Sequence, residues 1–181
     1  MFQNKQEIEN LIKKTDDYDL TQEIITKIEQ LKKIRPGFYL TLEELEEIFK
    51  WKLRTQFGRQ KAIREKNTES NIKIITGAAF AISHPDKKIE ITLKLKALSL
   101  IYGVEIPVAS AILTLCFPKE YSVIDFRNWR QIFREEDKKS SYTATEYIKY
   151  LEIIKEISEK FNFTTQEIDL AIWQKDVNEF G

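Results

Sequence analysis

GVEIPVASAILTLCFPKEYSVID, residues 103–125, decides how this chain is read. It opens on a glycine-containing tight turn. It continues as an apolar stretch with Pro107 near its start, is broken again at Pro118, and ends on Asp125. Proline suits the first position of a helix, where its missing N–H has no intrahelical partner to lose. A helix is therefore expected from Pro107 to about Phe117. Asp125 then precedes a short helix through Phe133, and aspartate is a favoured N-cap by residue type.

Working outward, helical spacing dominates on both sides. Residues 5–14 place Ile8, Leu11 and Ile12 on one face, and residues 21–33 do the same with Ile24, Ile25, Ile28 and Leu31. RPGFYL, residues 35–40, is a break. Thr41 and Glu44 form a capping box that starts a helix at Leu42 and carries it towards Trp51. TQFGRQ, residues 55–60, loosens or ends it. A helix over about 69–82 carries Ile72, Ile75, Ala79 and Ile82, and another over 87–101 carries Ile91, Leu95, Leu98 and Ile101. Two further capping boxes, Thr143 with Glu146 and Thr164 with Glu167, open helices reaching about Phe161 and Phe180. No β alternation, internal repeat or low-complexity tract stands out, so the expected class is all-α. Residues 1–36 read as an N-terminal helical appendage and 37–181 as the main helical domain, the two forming one compact unit.

Composition sets limits on the chemistry. With 42% hydrophobic and 12% aromatic residues, 181 residues can bury a sizeable core. Five glycines and four prolines are few for a turn-dense β fold. No apolar run is long enough to cross a bilayer, and the charged N-terminus lacks a signal-peptide centre, so a cytoplasmic protein is expected. Cys116 is the sole cysteine and sits in an apolar stretch, which excludes an internal disulfide and any cysteine-ligated metal cluster. His84 is the sole histidine, in the loop SHPDKK, so histidine metal clusters are excluded and a serine–histidine triad is disfavoured. No cofactor is called for. Chemistry, if any, falls to carboxylates, lysine, arginine, tyrosine or backbone.

Formal net charge is zero, which hides an asymmetry. Residues 50–66 carry Lys50, Lys52, Arg54, Arg59, Lys61, Arg64 and Lys66 against Glu65 alone. Such a segment can bind a polyanion locally, or it can be one solvated helix face.

LIYGVEIPVASAIL, residues 100–113, followed by VIDFRNWR, residues 123–130, resembles the helix-hairpin-helix Gly/Pro-Asp (HhH-GPD) DNA glycosylase superfamily. Its pattern is roughly L-P-G-V-G-x-x-x-A, then a helix and loop, then V-D and a helix carrying an arginine. Gly103, Val104 and Ala109 fit the hairpin, and Asp125 lies 22 positions after Gly103, the separation in the endonuclease III-like branch. The match covers about residues 88–134 directly. The chain also looks like a group of small bacterial helix-hairpin-helix proteins sharing PVASAIL, D-x-R-x-W (Asp125, Arg127, Trp129) and A-x-W-Q (Ala171, Trp173, Gln174).

The resemblance implies a DNA-binding protein, a monofunctional glycosylase-like enzyme in which Asp125 stabilises the positive charge of an oxocarbenium-like transition state. It implies phosphate contacts from the hairpin at Gly103 and Val104, helped by the helix N-terminus. Lys52, Arg54, Arg59 and Lys61 would hold further phosphates and Arg127 the sugar–phosphate near Asp125. An extruded base would stack on Trp51, Phe57, Tyr102 or Trp129. Two departures stand out. Glu105 replaces the hairpin's second glycine and puts negative charge where an anion should sit. Pro107 replaces the lysine of bifunctional members, which rules out a Schiff base through that position. The residues alone leave other readings open: a non-catalytic DNA-binding module, a protein-interaction domain, Asp125 as a cap only, and Trp51, Trp129 and Trp173 as core.

Overall fold

A computed structural model describes residues 2–16, 18–135 and 139–181. Among these the chain is helical and carries no strand. Its elements are α1 (Lys5–Lys13), α2 (Tyr18–Ile34), α3 (Leu42–Leu53), a 3-10 stretch (Arg54–Gln60), α4 (Lys61–Arg64), α5 (Glu69–Ala81), α6 (Lys87–Leu98), α7 (Ile106–Cys116), α8 (Phe126–Phe133), α9 (Ala144–Phe161) and α10 (Thr165–Phe180).

The capping residues fix the starts. Thr41, Thr143 and Thr164 each form both halves of the capping box with Glu44, Glu146 and Glu167. Thr68 and Asp86 cap α5 and α6 through single side chains. Two boundaries depart from the periodicity. α2 begins three residues before the expected 21, at Tyr18. α6 stops at Leu98 rather than 101, because Ser99 turns its hydroxyl back onto the Leu95 carbonyl at 2.9 Å and the next residues close i→i−3 turns. The basic run is not one helix face. α3 ends at Arg54, whose φ of 48° breaks the helix, and the 3-10 stretch and short α4 follow.

α7 is the centre of the fold, buried at every position from Val108 to Cys116. α2 and α3 pack on it, α1 lies against α10, and α10 also contacts α8 and α9. Ile8, Ile12, Ile24 and Ile28 from the first two helices join the same apolar core as Phe49, Ile112, Leu151 and Ile168. No helix is long and apolar enough to cross a membrane among the described residues.

Between α6 and α7 the turn is tight. Ile101 and Val104 close on the carbonyls of Leu98 and Ile101. Asn67 brackets Tyr102, accepting its N–H and donating to its carbonyl, both at 3.0 Å. Gly103 has φ of 84°, and a Cβ there would meet the Arg64 Cγ at 3.1 Å. Gly103→Ala is therefore expected to lose about 1–2 kcal/mol, read by urea unfolding, since it adds left-handed strain to a close contact.

The segment after α7 is irregular yet buried, from Tyr121 to Ile124. Buried backbone polar groups need partners, and side chains from four helices provide them. From α7, Ser110 Oγ accepts the Ile124 N–H at 3.1 Å. From α10, Thr165 donates to the Tyr121 carbonyl at 2.6 Å and Asp169 accepts the Val123 N–H at 2.8 Å. From α9, Tyr147 donates to the Ser122 carbonyl at 3.0 Å and Tyr150 to that of Val123 at 2.8 Å. From α8, Asn128 donates to the same Val123 carbonyl at 3.1 Å. This segment delivers Asp125.

Candidate functional site

Asp125 is the N-cap of α8. Its Oδ1 accepts the backbone N–H groups of Arg127 and Asn128, each at 3.0 Å. Those two bonds fix the carboxylate and leave Oδ2 for the cleft beside it, where Lys52 Nζ lies 3.4 Å away. Lys52 stands in the last turn of α3, where the helix dipole favours a cation. The lysine is 12% exposed and the aspartate 22%, so the pair is shielded but reachable.

The cleft measures about 290 Å³, at the small end of ligand-binding cavities. Three parts of the fold wall it: the α3 end and 3-10 stretch with Trp51, Lys52 and Arg54; the start of α8 with Asp125, Arg127 and Asn128; and α10 with Asp169 and Trp173. Trp51 is held from behind, its indole N–H donating to Thr21 at 3.0 Å. The Arg54 guanidinium stacks 4.8 Å from the Trp173 ring centroid. Arg127 reaches the same ring at 5.7 Å and bonds Asp176 at 2.9 Å. Its φ of 48° marks Arg54 as a strained residue, of the kind that gathers at ligand sites.

Family models, curated proteins and solved structures give no match to this chain. What the cleft can do is therefore read from its own atoms.

Asp169 is buried in the cleft wall, and that burial pushes its carboxyl up to about 8. The Val123 N–H opposes that, the charge of Asp125 adds to it, and Lys52 and Ser122 oppose it in turn. The site thus pairs an exposed-side carboxylate, anchored by two amides, with a buried acid that holds its proton at neutral pH. No group of histidine, cysteine or acidic side chains among the described residues has the makings of a metal site.

The raised value also makes a stability prediction. From about pH 4 to about pH 8 the unfolded chain has released the Asp169 proton while the native chain keeps it, so stability falls as pH rises and levels off above 8. Asp169→Asn, which still accepts the Val123 N–H, is expected to remove that falling limb. The variant should gain on wild type by ~1 kcal/mol or more between pH 5 and pH 9 in urea titrations.

Of the residues singled out from sequence, Trp51, Lys52, Arg54, Asp125 and Arg127 line this cleft. The remainder lie elsewhere. Trp129 is corrected from pocket wall to core: it is 4% exposed, its indole N–H donates to Glu135, and its ring packs on Phe133 and Tyr142. Phe57 sits 3.9 Å beneath the guanidinium of Arg64, which is itself buried and bonded to the Phe57 carbonyl and Glu46. Tyr102 is exposed on the α6–α7 turn with Gly103 beside it, while Val104 is buried. Arg59 and Lys61 are exposed on the 3-10 stretch and α4. Sequence reasoning missed Asn128, Asp169 and Trp173 as cleft residues. For the last two a signal existed: 169, 173 and 176 follow helical spacing and share one face of α10.

Proposed function

We propose that the chain is a DNA-binding, monofunctional glycosylase-like hydrolase that cleaves the N-glycosidic bond of a damaged or modified base held in the cleft. The observation that carries this reading is Asp125, its Oδ1 locked by two amides and its Oδ2 turned to a cleft with indole walls and cationic neighbours. Cleavage breaks the bond between the sugar C1′ and the base nitrogen, and the electron pair leaves with the base. The positive charge left on the sugar is stabilised by the Asp125 carboxylate, and a water adds its oxygen to C1′ with loss of a proton. Lys52, Arg54 and Arg127 suit phosphate and sugar contacts around the extruded nucleotide. α6, the Gly103 turn and α7 are read as the helix-hairpin-helix of the HhH-GPD superfamily. Pro107 at the start of α7 leaves no amine there, so base release without strand cleavage through that position is the expected outcome.

Two observations favour a second reading, binding without cleavage. Lys52 already pairs with Asp125, and Glu105 occupies the hairpin. The two readings part on product. Duplexes carrying uracil, hypoxanthine, an alkylated purine or an oxidised purine are incubated with the protein and treated with alkali. Abasic sites from at least one substrate support hydrolysis; retention of DNA without them selects the binding module. Neither product nor retention at low salt overturns both.

The exposed cations make a separate prediction. Reversing Arg59 and Lys61 to glutamate should weaken DNA binding across all sequences and flatten its dependence on salt by about 0.9 log unit per lost contact. Filter binding between low and moderate salt measures this, and unchanged affinity would place DNA on another face.

A further inference from the structure

α6 carries aliphatic side chains on two faces. Ile91, Leu95 and Leu98 are buried, while Ile89 and Leu93, one turn apart, are 44% and 43% exposed. Exposed aliphatic residues scattered singly need no explanation. These two share a groove. α6 packs beside α9, and two cavities lie along that seam. Ile89, Thr92, Leu93 and Ile148 line one of about 520 Å³. Ile91 and Leu151 line the other, of about 360 Å³. Lys88, Ile148 and Glu152 belong to both, so the two cavities are halves of one trough. It follows α6 from Lys87 to Lys96, about 14 Å at the helical rise, or two to three turns.

The trough is cationic as well as apolar. Of its acids, Asp86 is occupied in capping α6 and Glu152 is held by Lys88 at 2.9 Å. Lys87 pairs with Glu90. Lys96, Lys149 and Lys155 remain on the rim, with no carboxylate partner among the described residues. The Lys88–Glu152 pair crosses the seam with both side chains more than half exposed, so it contributes little and opens readily to an incoming charge.

We propose that this trough docks an amphipathic helix of a partner protein, with an aliphatic stripe that lies on Ile89, Leu93 and Ile148 and acidic flanks that meet Lys96, Lys149 and Lys155. Shape and lining select this occupant. A concave seam between two helices receives a helical ridge, as in other helix-in-groove complexes. A bilayer is met instead by apolar side chains that project from a surface. Neither cavity is lined by an aromatic ring, so the trough offers no stacking platform for nucleobases. Apolar burial would supply the affinity, and the rim charges the choice and orientation of the partner. No residue of the trough lines the Asp125 cleft, so the inference stands apart from the base-cleaving reading.

Fluorescence anisotropy of the full chain with a labelled peptide of about sixteen residues tests this. The peptide is built from Leu, Ala and Glu, with leucines three and four apart on one face and glutamates beside them. A second peptide of the same composition has its leucines spread around the helix. Binding of the first in the micromolar range is expected, about tenfold or more tighter than the second. Leu93→Ser and Lys96→Glu should each weaken it about tenfold. Both side chains are exposed, so the fold should survive either change, and a urea titration checks it. No binding at millimolar peptide, equal affinity for the two peptides, or indifference to both substitutions overturns the proposal. Phosphatidylserine vesicles and sedimentation of the protein alone complete the test. Vesicle binding or self-association that Leu93→Ser abolishes, without peptide binding, gives the trough to a bilayer or a second copy and equally overturns it.

Discussion

Asp125→Asn is expected to slow base release on the order of 10³-fold, the scale seen when a single electrostatic stabiliser is removed. The fold should survive, because asparagine caps a helix about as well as aspartate and its Oδ1 can take the Arg127 and Asn128 N–H groups. The loss would fall on kcat, since the charge being answered exists only in the transition state. Single-turnover release of base from the best duplex in the panel measures the rate, and a urea titration checks the fold. Lys52→Met supplies the complementary result. It frees the carboxylate from its partner, so a hydrolase should keep substantial turnover while DNA binding weakens. Asp125→Asn with unchanged turnover would end the reading of this acid as the catalytic group.

The second large effect is structural. Asp176 is 0% exposed and takes both arginines of α8: Arg127 Nη1 at 2.9 Å and Arg130 through Nε at 2.8 Å and Nη2 at 2.6 Å. It ties α8 to α10 just behind the cleft. Removing one partner of a buried ion pair leaves the other charge desolvated, which costs more than the pair itself contributes. Asp176→Ala is expected to destabilise by about 3–5 kcal/mol, a fall in Tm of roughly 10 °C for a chain of this size. Asp176→Asn should do less harm, because the amide oxygen still accepts. Thermal unfolding of both variants measures the difference. A loss below about 1 kcal/mol for the alanine variant would show the arginines well served by solvent and other neighbours.

Local chemistry was readable from sequence, and long-range partnership was not. The threonines at 41, 143 and 164 announce helices because a hydroxyl and a glutamate three residues on satisfy each other within one turn. Pro107 and Asp125 work the same way. The end of α3 shows the limit. Its positive charges read as one run, yet Lys52 turns inward to an acid 73 positions away and Arg64 is buried against Phe57 and Glu46. Trp129 illustrates the same point in reverse, a residue of apt type for a pocket that its neighbours claim for the core. Trp51, Lys52, Arg54, Asp125 and Arg127 did meet around one cleft, with the acid located by its distance from Gly103. Asn128 and Asp169 escaped notice because their meaning lies in a shared bond to Val123 rather than in any motif.

The order in which the chain is made gives that shared bond a further weight. Asp169, Trp173 and Asp176 all ride on α10, more than forty residues after the acid whose surroundings they complete. A nascent chain on the ribosome can cap α8 with Asp125 long before that helix arrives. Until it docks, Val123 lacks a partner for its N–H, the arginines lack their carboxylate and one indole wall is missing. The surroundings of Asp125 are thus completed only when α10 docks.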